Sequence, residues 1–175
     1  GLPGPGADGF IAQYMPFLRR YDVPVIVNIW GKTIEEYVEV ARRFDGVPGI
    51  AGLEINLSCP NIKEGSAVFG TNPDLFRRCI AAVRAATRLP LIPKLAPNVS
   101  DIAEYARAAE AAGADAISLI NSFPAMAVDI ETRRPKLANK TGGLTGPAIK
   151  PLAIRLVWQA AQAVKIPVIG MGGIY

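Results

Sequence analysis

The residues best suited to chemistry lie together at positions 56–61. Apolar residues from Ile50 onward run directly into the sequence Asn-Leu-Ser-Cys-Pro-Asn at those positions. This segment holds two amides, a hydroxyl and a thiol close together. Burying these groups in a packed core costs free energy unless each finds a hydrogen-bond partner. The segment is therefore typical of a strand end that meets a polar ligand.

The thiol of Cys59 has two interpretations. Free cysteine commonly packs as a small hydrophobe, and Cys79 is expected to do so because it shares one helical face with Leu75 and Val83. Cys59 instead precedes Pro60, which stops strand pairing and leaves the thiol at the junction of a strand and a loop. Two cysteines in such different settings, with no signal peptide, predict a cytoplasmic protein without a disulfide.

Lys94 interrupts the apolar stretch from Leu91 to Leu95. A lysine almost never lies fully buried without a partner. Its ammonium group either extends to the rim of the structure or meets an anionic ligand. An electron-rich cofactor that gains negative charge on reduction would be such a ligand.

A glycine pair, Gly172-Gly173, follows the apolar stretch from Val168 to Met171. Because glycine has no Cβ, a backbone turn at this place can approach a phosphate closely and direct its N–H groups at it. Glycine pairs also form simple turns, so both interpretations stay open on the sequence alone.

Composition excludes several classes of function. No stretch approaches the roughly 20 consecutive apolar residues of a membrane span, and the net charge of +4 is spread over several helices, unlike a nucleic-acid groove. Histidine is absent, which removes imidazole as a base or metal ligand. We therefore expect no membrane, nucleic-acid or metal site, and proton transfer falls to Cys, Lys, Tyr or a carboxylate.

Short runs rich in Val, Ile and Leu alternate with amphipathic helices. The expected strands are Val23 to Trp30, Ile50 to Leu57, Leu89 to Leu95, Ala114 to Asn121 and Ile166 to Met171. Helix starts are marked by Thr33, Asn72-Pro73, Ser100-Asp101 and Gly146-Pro147. This alternation predicts one α/β domain with a parallel sheet.

The strand ends favour a (β/α)8 barrel over an open sheet. All five expected strands carry polar or glycine positions at their carboxyl ends, where barrel enzymes collect their catalytic groups: Asn28, Asn56, Lys94, Asn121-Ser122 and Gly172-Gly173. In an open sheet these ends would lie along a line, and most could not reach one small ligand. Five strands of eight predict a single partial barrel domain over residues 1–175, truncated at both ends.

Five motifs together resemble the FMN-dependent dihydroorotate dehydrogenases, and among them the NAD-linked class 1B catalytic subunit. They are Asn-Leu-Ser-Cys-Pro-Asn at 56–61, Lys-Leu-Ala-Pro-Asn-Val at 94–99, Ile-Asn-Ser at 120–122, Thr-Gly-Gly-Leu-Thr-Gly-Pro-Ala-Ile-Lys-Pro at 141–151 and Gly-Met-Gly-Gly at 170–173. The resemblance covers essentially the whole chain. It implies an oxidoreductase that converts (S)-dihydroorotate to orotate with hydride transfer to FMN, in pyrimidine biosynthesis.

The resemblance also implies residue roles at matching positions. Cys59 would be the general base that removes a proton from C5 of the substrate. Implied substrate contacts come from Asn56, Asn61, Asn121, Ser122, Gly1 and Leu2. Implied FMN contacts are Asn28, Asn56, Lys94, Ile120, Gly146, Gly172 and Gly173, with Lys94 stabilising the negative charge of the reduced flavin.

Two alternatives stay open beside this interpretation. The chain departs from the family at Pro3-Gly4, where an asparagine usually follows Gly-Leu, and missing strands would leave two unpaired sheet edges. A catalytically silent partial barrel is therefore one alternative. The other is the pyrimidine-reducing domain of dihydropyrimidine dehydrogenase, which shares Asn-Leu-Ser-Cys-Pro but differs in the loop that follows.

The polar segment 123–146 is longer than most connections and contains four basic residues, Arg133, Arg134, Lys136 and Lys140. It is either a solvated excursion with a small hairpin or, as the resemblance implies, a surface near a partner. The implied partner is an iron–sulfur subunit that carries FAD and a 2Fe-2S cluster and passes electrons to NAD. The expected assembly is a homodimer of catalytic subunits within a heterotetramer.

Overall fold

The computed structural model describes residues 4–57, 63–64, 67–68, 70 and 72–174. The helices and strands are, in chain order, α1 (Gly6–Gln13), α2 (Met15–Leu18), β1 (Val25–Ile29), α3 (Ile34–Phe44), β2 (Ile50–Asn56), β3 (Lys63–Glu64), β4 (Ala67–Val68), α4 (Pro73–Ala86), β5 (Leu91–Leu95), α5 (Ile102–Ala111), β6 (Ile117–Leu119), β7 (Phe123–Ala125), β8 (Val128–Asp129), β9 (Arg134–Pro135), β10 (Gly142–Leu144), a 3-10 helix (Pro147–Ile149), α6 (Lys150–Ala163) and β11 (Val168–Gly170). No described helix combines the length and the apolar character needed to cross a bilayer.

The central sheet consists of β1, β2, β5, β6 and β11, all parallel. Each of these strands pairs with the next one along the chain. A doubly wound sheet reverses its strand order at a switch point, and the described part of this sheet has no reversal. Sequential order is that of a (β/α)8 barrel, of which the described residues form five strands. The predicted α/β partial barrel is confirmed.

The helices cover one face of the sheet. Helices α3, α4, α5 and α6 pack side by side, each against the next. Along β2, Leu53 and Ile55 are fully buried under this layer, and the intervening Glu54 projects from the other face, because side chains alternate along a strand. That other face, here called the open face, also carries Ile26 and Ile169, which are 48% and 40% exposed. The open face corresponds to the inside of a barrel.

Three helix starts are fixed by the capping residues that the sequence predicted. The side chains of Thr33, Asn72 and Asp101 accept hydrogen bonds from backbone N–H groups in the first turns of α3, α4 and α5, at 3.2, 2.9 and 2.9 Å. Such caps satisfy amides that have no partner within the helix. They set where each helix leaves the carboxyl edge of the sheet, where the loops of the candidate site lie.

Hydrogen bonds join the C-terminal ends of α3 and α4, near the start of β5. The hydroxyl of Thr87, a residue only 5% exposed, donates to Asp45 Oδ1 at 2.6 Å and accepts from the Leu89 N–H at 3.1 Å. The Arg88 N–H donates to the same carboxylate oxygen at 3.0 Å. These bonds, above all the one from Thr87, hold the pKa of Asp45 below its ordinary value.

Replacing Thr87 by valine is expected to lower the free energy of unfolding by about 1 kcal/mol at neutral pH, because valine keeps the volume but loses both hydrogen bonds. A carboxylate whose pKa is lower in the folded than in the unfolded protein stabilises the fold at pH values above its unfolded-state pKa. This stabilisation is lost as the pH falls through the folded-state pKa. Denaturant titrations should therefore show a difference that shrinks as the pH is lowered below the ordinary pKa of an aspartate. Thr87→Ser, which keeps the hydroxyl, is the matched control, and a difference independent of pH would contradict this role of Asp45.

Candidate functional site

Four polar side chains from four adjacent strands meet on the open face, and we call them the open-face cluster: Asn28 of β1, Glu54 of β2, Lys94 of β5 and Ser118 of β6. Glu54 Oε2 accepts a hydrogen bond from Asn28 Nδ2 at 2.5 Å, and Glu54 Oε1 accepts one from Ser118 Oγ at 2.6 Å. The ammonium Nζ of Lys94 lies 3.7 Å from Glu54 Oε2. The strand register places Asn28 opposite Glu54 and Lys94 opposite Ser118.

The charged pair of this cluster is largely removed from solvent. The side chains of Lys94 and Glu54 are 18% and 16% exposed, and Ser118 is fully buried. Of the two alternatives for Lys94, extension to the rim is not what the structure shows. Lys94 has a carboxylate partner within the protein, one that the sequence analysis did not anticipate.

Asn56 lies beside Lys94 at the carboxyl end of β2. The two residues pair across β2 and β5, and Asn56 is two positions after Glu54, so it shares the open face. The fully buried Tyr37 of α3 donates a hydrogen bond from its hydroxyl to the Asn56 carbonyl oxygen at 2.7 Å. This bond ties the end of the strand to the helix layer, so the backbone that carries the Asn56 amide is held in place.

A second group of site residues meets where β11 ends against the start of α6. A Cβ placed on Gly173 would lie 2.8 Å from the Gly146 carbonyl oxygen and 2.9 Å from the Lys150 backbone nitrogen, and one on Gly172 would lie 3.5 Å from Ile120 Cγ1. Both glycines have positive φ, 127° for Gly172 and 73° for Gly173. Close packing and backbone conformation thus both require glycine here. The structure brings together four of the positions expected to contact FMN.

Asn121 and Ser122 follow β6 at the same edge of the sheet. The Asn121 N–H donates to the Leu95 carbonyl oxygen at 3.2 Å, which places this residue next to the end of β5 and one residue from Lys94 in that strand. Ser122 lies against the backbone of β10, since a Cβ on Gly143 would be 2.3 Å from Ser122 Oγ. The ends of β5 and β6 therefore carry Lys94 and Asn121 side by side.

Four predicted site residues lie outside the described residues, namely Cys59, Asn61, Gly1 and Leu2. Cys79, the comparison thiol, is fully buried on α4, as predicted. The roles given to Cys59 and Asn61 stay predictions that follow from the motif at 56–61.

Sequence reasoning missed Glu54 and Ser118. Glu54 is charged within an otherwise apolar strand, and its spacing of two from Asn56 is the signal that places both on one face. Ser118 stands similarly within the apolar run of β6. Neither position reveals its partner in the sequence, because the bonds to Glu54 join residues 26 and 64 positions apart.

Segment 123–146 forms two short antiparallel ribbons. Strand β7 pairs with β10, and between them β8 pairs with β9. Its four basic residues, Arg133, Arg134, Lys136 and Lys140, are all exposed. The predicted solvated excursion with a hairpin is confirmed in its geometry, and the partner role stays a prediction.

Sequential parallel strands and a single helix layer define a barrel-type α/β protein, and its carboxyl edge carries a cation among amides. The chain belongs to the dihydroorotate dehydrogenase family, whose family model matches residues 1–175.

Named relatives agree with this assignment. The chain is 57% identical over 174 residues to the catalytic subunit of dihydroorotate dehydrogenase B (NAD(+)) from Geotalea uraniireducens, and 58% identical to that from Trichlorobacter lovleyi. Each alignment covers 99% of this chain and 57% of the relative, so the chain spans little more than half the length of these proteins. Among solved structures, an oxaloacetate acetylhydrolase aligns with a TM-score of 0.47 and 19% identity over 65% of this chain and 41% of that one, too low to support an argument.

Proposed function

We propose that this chain forms the part of an NAD-linked dihydroorotate dehydrogenase catalytic subunit that holds FMN and converts (S)-dihydroorotate to orotate in pyrimidine biosynthesis. One observation carries the proposal: Lys94, Asn28 and Asn56 share the open face at the carboxyl ends of three adjacent strands, and a glycine turn follows β11 at the same edge of the sheet. Family membership over the whole chain supports it. A cytoplasmic location is part of the same proposal.

The described residues fit FMN in two respects. The open-face cluster supplies a largely desolvated cation and amide groups, which suit a flat heterocycle that gains negative charge. In the described part of the chain, the N–H groups of Gly172 and Gly173 donate to no protein acceptor, and their turn stands at the start of α6, where an anion is stabilised. Asn28, Asn56, Lys94, Ile120, Gly146, Gly172 and Gly173 would hold the cofactor.

The reaction needs a base, an anchor for the substrate and a hydride acceptor. When bound, FMN supplies the hydride acceptor. Cys59 takes the proton from C5 of dihydroorotate, and the amide and carboxylate groups of the substrate are held by Asn56, Asn61, Asn121, Ser122, Gly1 and Leu2. Lys94 stabilises the negative charge that accompanies reduction, because a cation in a site of low exposure acts strongly on nearby charge.

Flavin content and substrate preference test this proposal. The whole polypeptide that contains these residues should show flavin absorbance after purification or take up added FMN, and it should oxidise dihydroorotate. A protein that stays colourless with added FMN would support the silent partial barrel. Turnover of uracil in preference to dihydroorotate would support the dihydropyrimidine dehydrogenase alternative, against which the named relatives count.

A partner subunit belongs to the proposal as well. The relatives are named as catalytic subunits of an NAD(+) enzyme, and we assign to this chain an iron–sulfur partner with FAD and a 2Fe-2S cluster. The proposed assembly is a homodimer of catalytic subunits within a heterotetramer. The exposed basic ribbons of segment 123–146 are the proposed contact surface.

Neutralising the four basic residues of this segment to glutamine is expected to slow NAD reduction by about tenfold at low ionic strength, because charged surfaces steer association. Reduction of an artificial acceptor should not change, since the flavin site is intact. Neutralising four exposed basic residues elsewhere, Arg20, Arg42, Arg88 and Lys165, is the matched control. Equal loss of both activities in the first variant would count against a partner surface.

A further inference from the structure

Glu54 makes more of the contacts in the open-face cluster than any other member, and the proposed function gives it no role. Its two carboxylate oxygens together contact side chains from three other strands: Asn28 at 2.5 Å, Ser118 at 2.6 Å and Lys94 at 3.7 Å. The first two are hydrogen bonds to short, stiff side chains. The carboxylate is therefore fixed from two sides.

Stability of the fold does not account for a carboxylate at this position. An ion pair removed from water loses solvation that its mutual attraction only partly restores, and apolar replacements for such pairs are often neutral or stabilising. The chain neighbours of Glu54 in β2, Leu53 and Ile55, are fully buried apolar residues. A charge kept inside such a strand points to a role in the site.

The contact with Lys94 differs in kind from the other two. At 3.7 Å, Glu54 Oε2 and Lys94 Nζ form an ion pair without a normal hydrogen bond. The negative charge of Glu54 opposes the field of the ammonium at any group farther away. It also restrains where a long, flexible lysine side chain places its charge.

We infer that Glu54 is a positioning residue that holds the Lys94 ammonium and the Asn28 amide in place at the flavin site and, by offsetting the Lys94 charge, lowers the reduction potential of bound FMN. This inference rests on the proposed function. The residues that contact the ligands are thus joined by Glu54, a carboxylate that adjusts the charge of the site.

The reduction potential of bound FMN tests the inference in the whole flavoprotein. Glu54→Gln removes the charge and keeps an oxygen that can accept from Ser118, and the Asn28 amide can turn over to accept from the glutamine. Reduced FMN should then bind about tenfold more tightly relative to oxidised FMN, which corresponds to a rise of about 30 mV for a two-electron couple. Anaerobic titration against a reference dye measures this shift.

Two further variants make the result specific. Glu110→Gln removes an equal charge at the amino edge, where Glu110 accepts hydrogen bonds from the Lys165 and Ile166 N–H groups, and should leave the potential unchanged. Glu54→Asp keeps the charge but withdraws it from Asn28 and Lys94. It should leave the potential closer to that of the parent than Glu54→Gln does and lower kcat by about threefold or more, as misplacement of site groups does.

The outcomes separate this inference from the proposed function. If the parent binds FMN and the reduction potential of FMN is unchanged in Glu54→Gln, this inference is overturned and the proposed function is not. If Glu54→Gln does not fold, a Glu54→Asp variant with the parent's kcat and FMN affinity overturns it as well. A parent that binds no FMN overturns the proposed function and this inference together.

Discussion

Replacing Cys59 by alanine is expected to slow the oxidation of dihydroorotate by about 10²–10⁴-fold, the usual contribution of a positioned general base. FMN content should stay the same, because Cys59 is not among the residues proposed to hold the cofactor. Orotate formation measures the rate, and flavin absorbance measures the occupancy. Cys59→Ser should fall between the parent and alanine, since serine keeps a protic group at the same position.

Cys79→Ala is the matched control for the thiol. Cys79 is fully buried on α4 among core residues, so its replacement should cost a little stability and leave the rate unchanged. A Cys59→Ala variant that retains more than about a tenth of the parent rate would show that another group takes the proton. Loss of FMN from that variant would instead give Cys59 a structural part in the cofactor site.

The fold could be predicted because it depends on local patterns. Apolar runs of strand length, separated by helices with capping residues such as Thr33 and Asn72, leave few arrangements for an α/β chain. The choice of a barrel rested on polar residues at strand ends such as Asn28 and Asn56. The sequential strand order in the structure agrees with that choice.

The pairing inside the site could not be predicted, because it depends on register between distant strands. Asn28 and Glu54 meet only because β1 and β2 align them as direct neighbours. A shift of one residue would turn Glu54 toward the helices. The sequence therefore indicated Lys94 as a cation near a strand end but not the carboxylate that accompanies it.

The glycine turn is a different case, in which the sequence indicated the position but not the cause. The sequence allows either a phosphate site or a simple turn at Gly172-Gly173. The structure adds close packing against Gly146 and the first residue of α6, which excludes a Cβ whether or not a ligand binds. Packing alone thus requires glycine at these positions.

Replacing Lys94 by glutamine is expected to lower kcat by about 10²-fold, because the loss of one preorganised group that stabilises developing charge has an effect of this size. The potential of bound FMN should fall, opposite in direction to the shift expected for Glu54→Gln. Lys94→Arg, which keeps the charge, should retain more of the activity. Lys165→Gln, at an exposed position on the amino edge, is the control for general charge effects.

Stability provides an independent measure of the same pair. Lys94→Gln leaves the Glu54 carboxylate, 16% exposed, without its cation, so this variant should unfold at lower denaturant concentration than the parent. The double variant with Glu54→Gln removes both charges and should recover part of that loss, which a double-mutant cycle measures as coupling. Strictly additive losses would mean that the two side chains do not interact in solution. In that case Lys94 would act on the flavin without restraint from Glu54, and the two single variants should shift the potential independently.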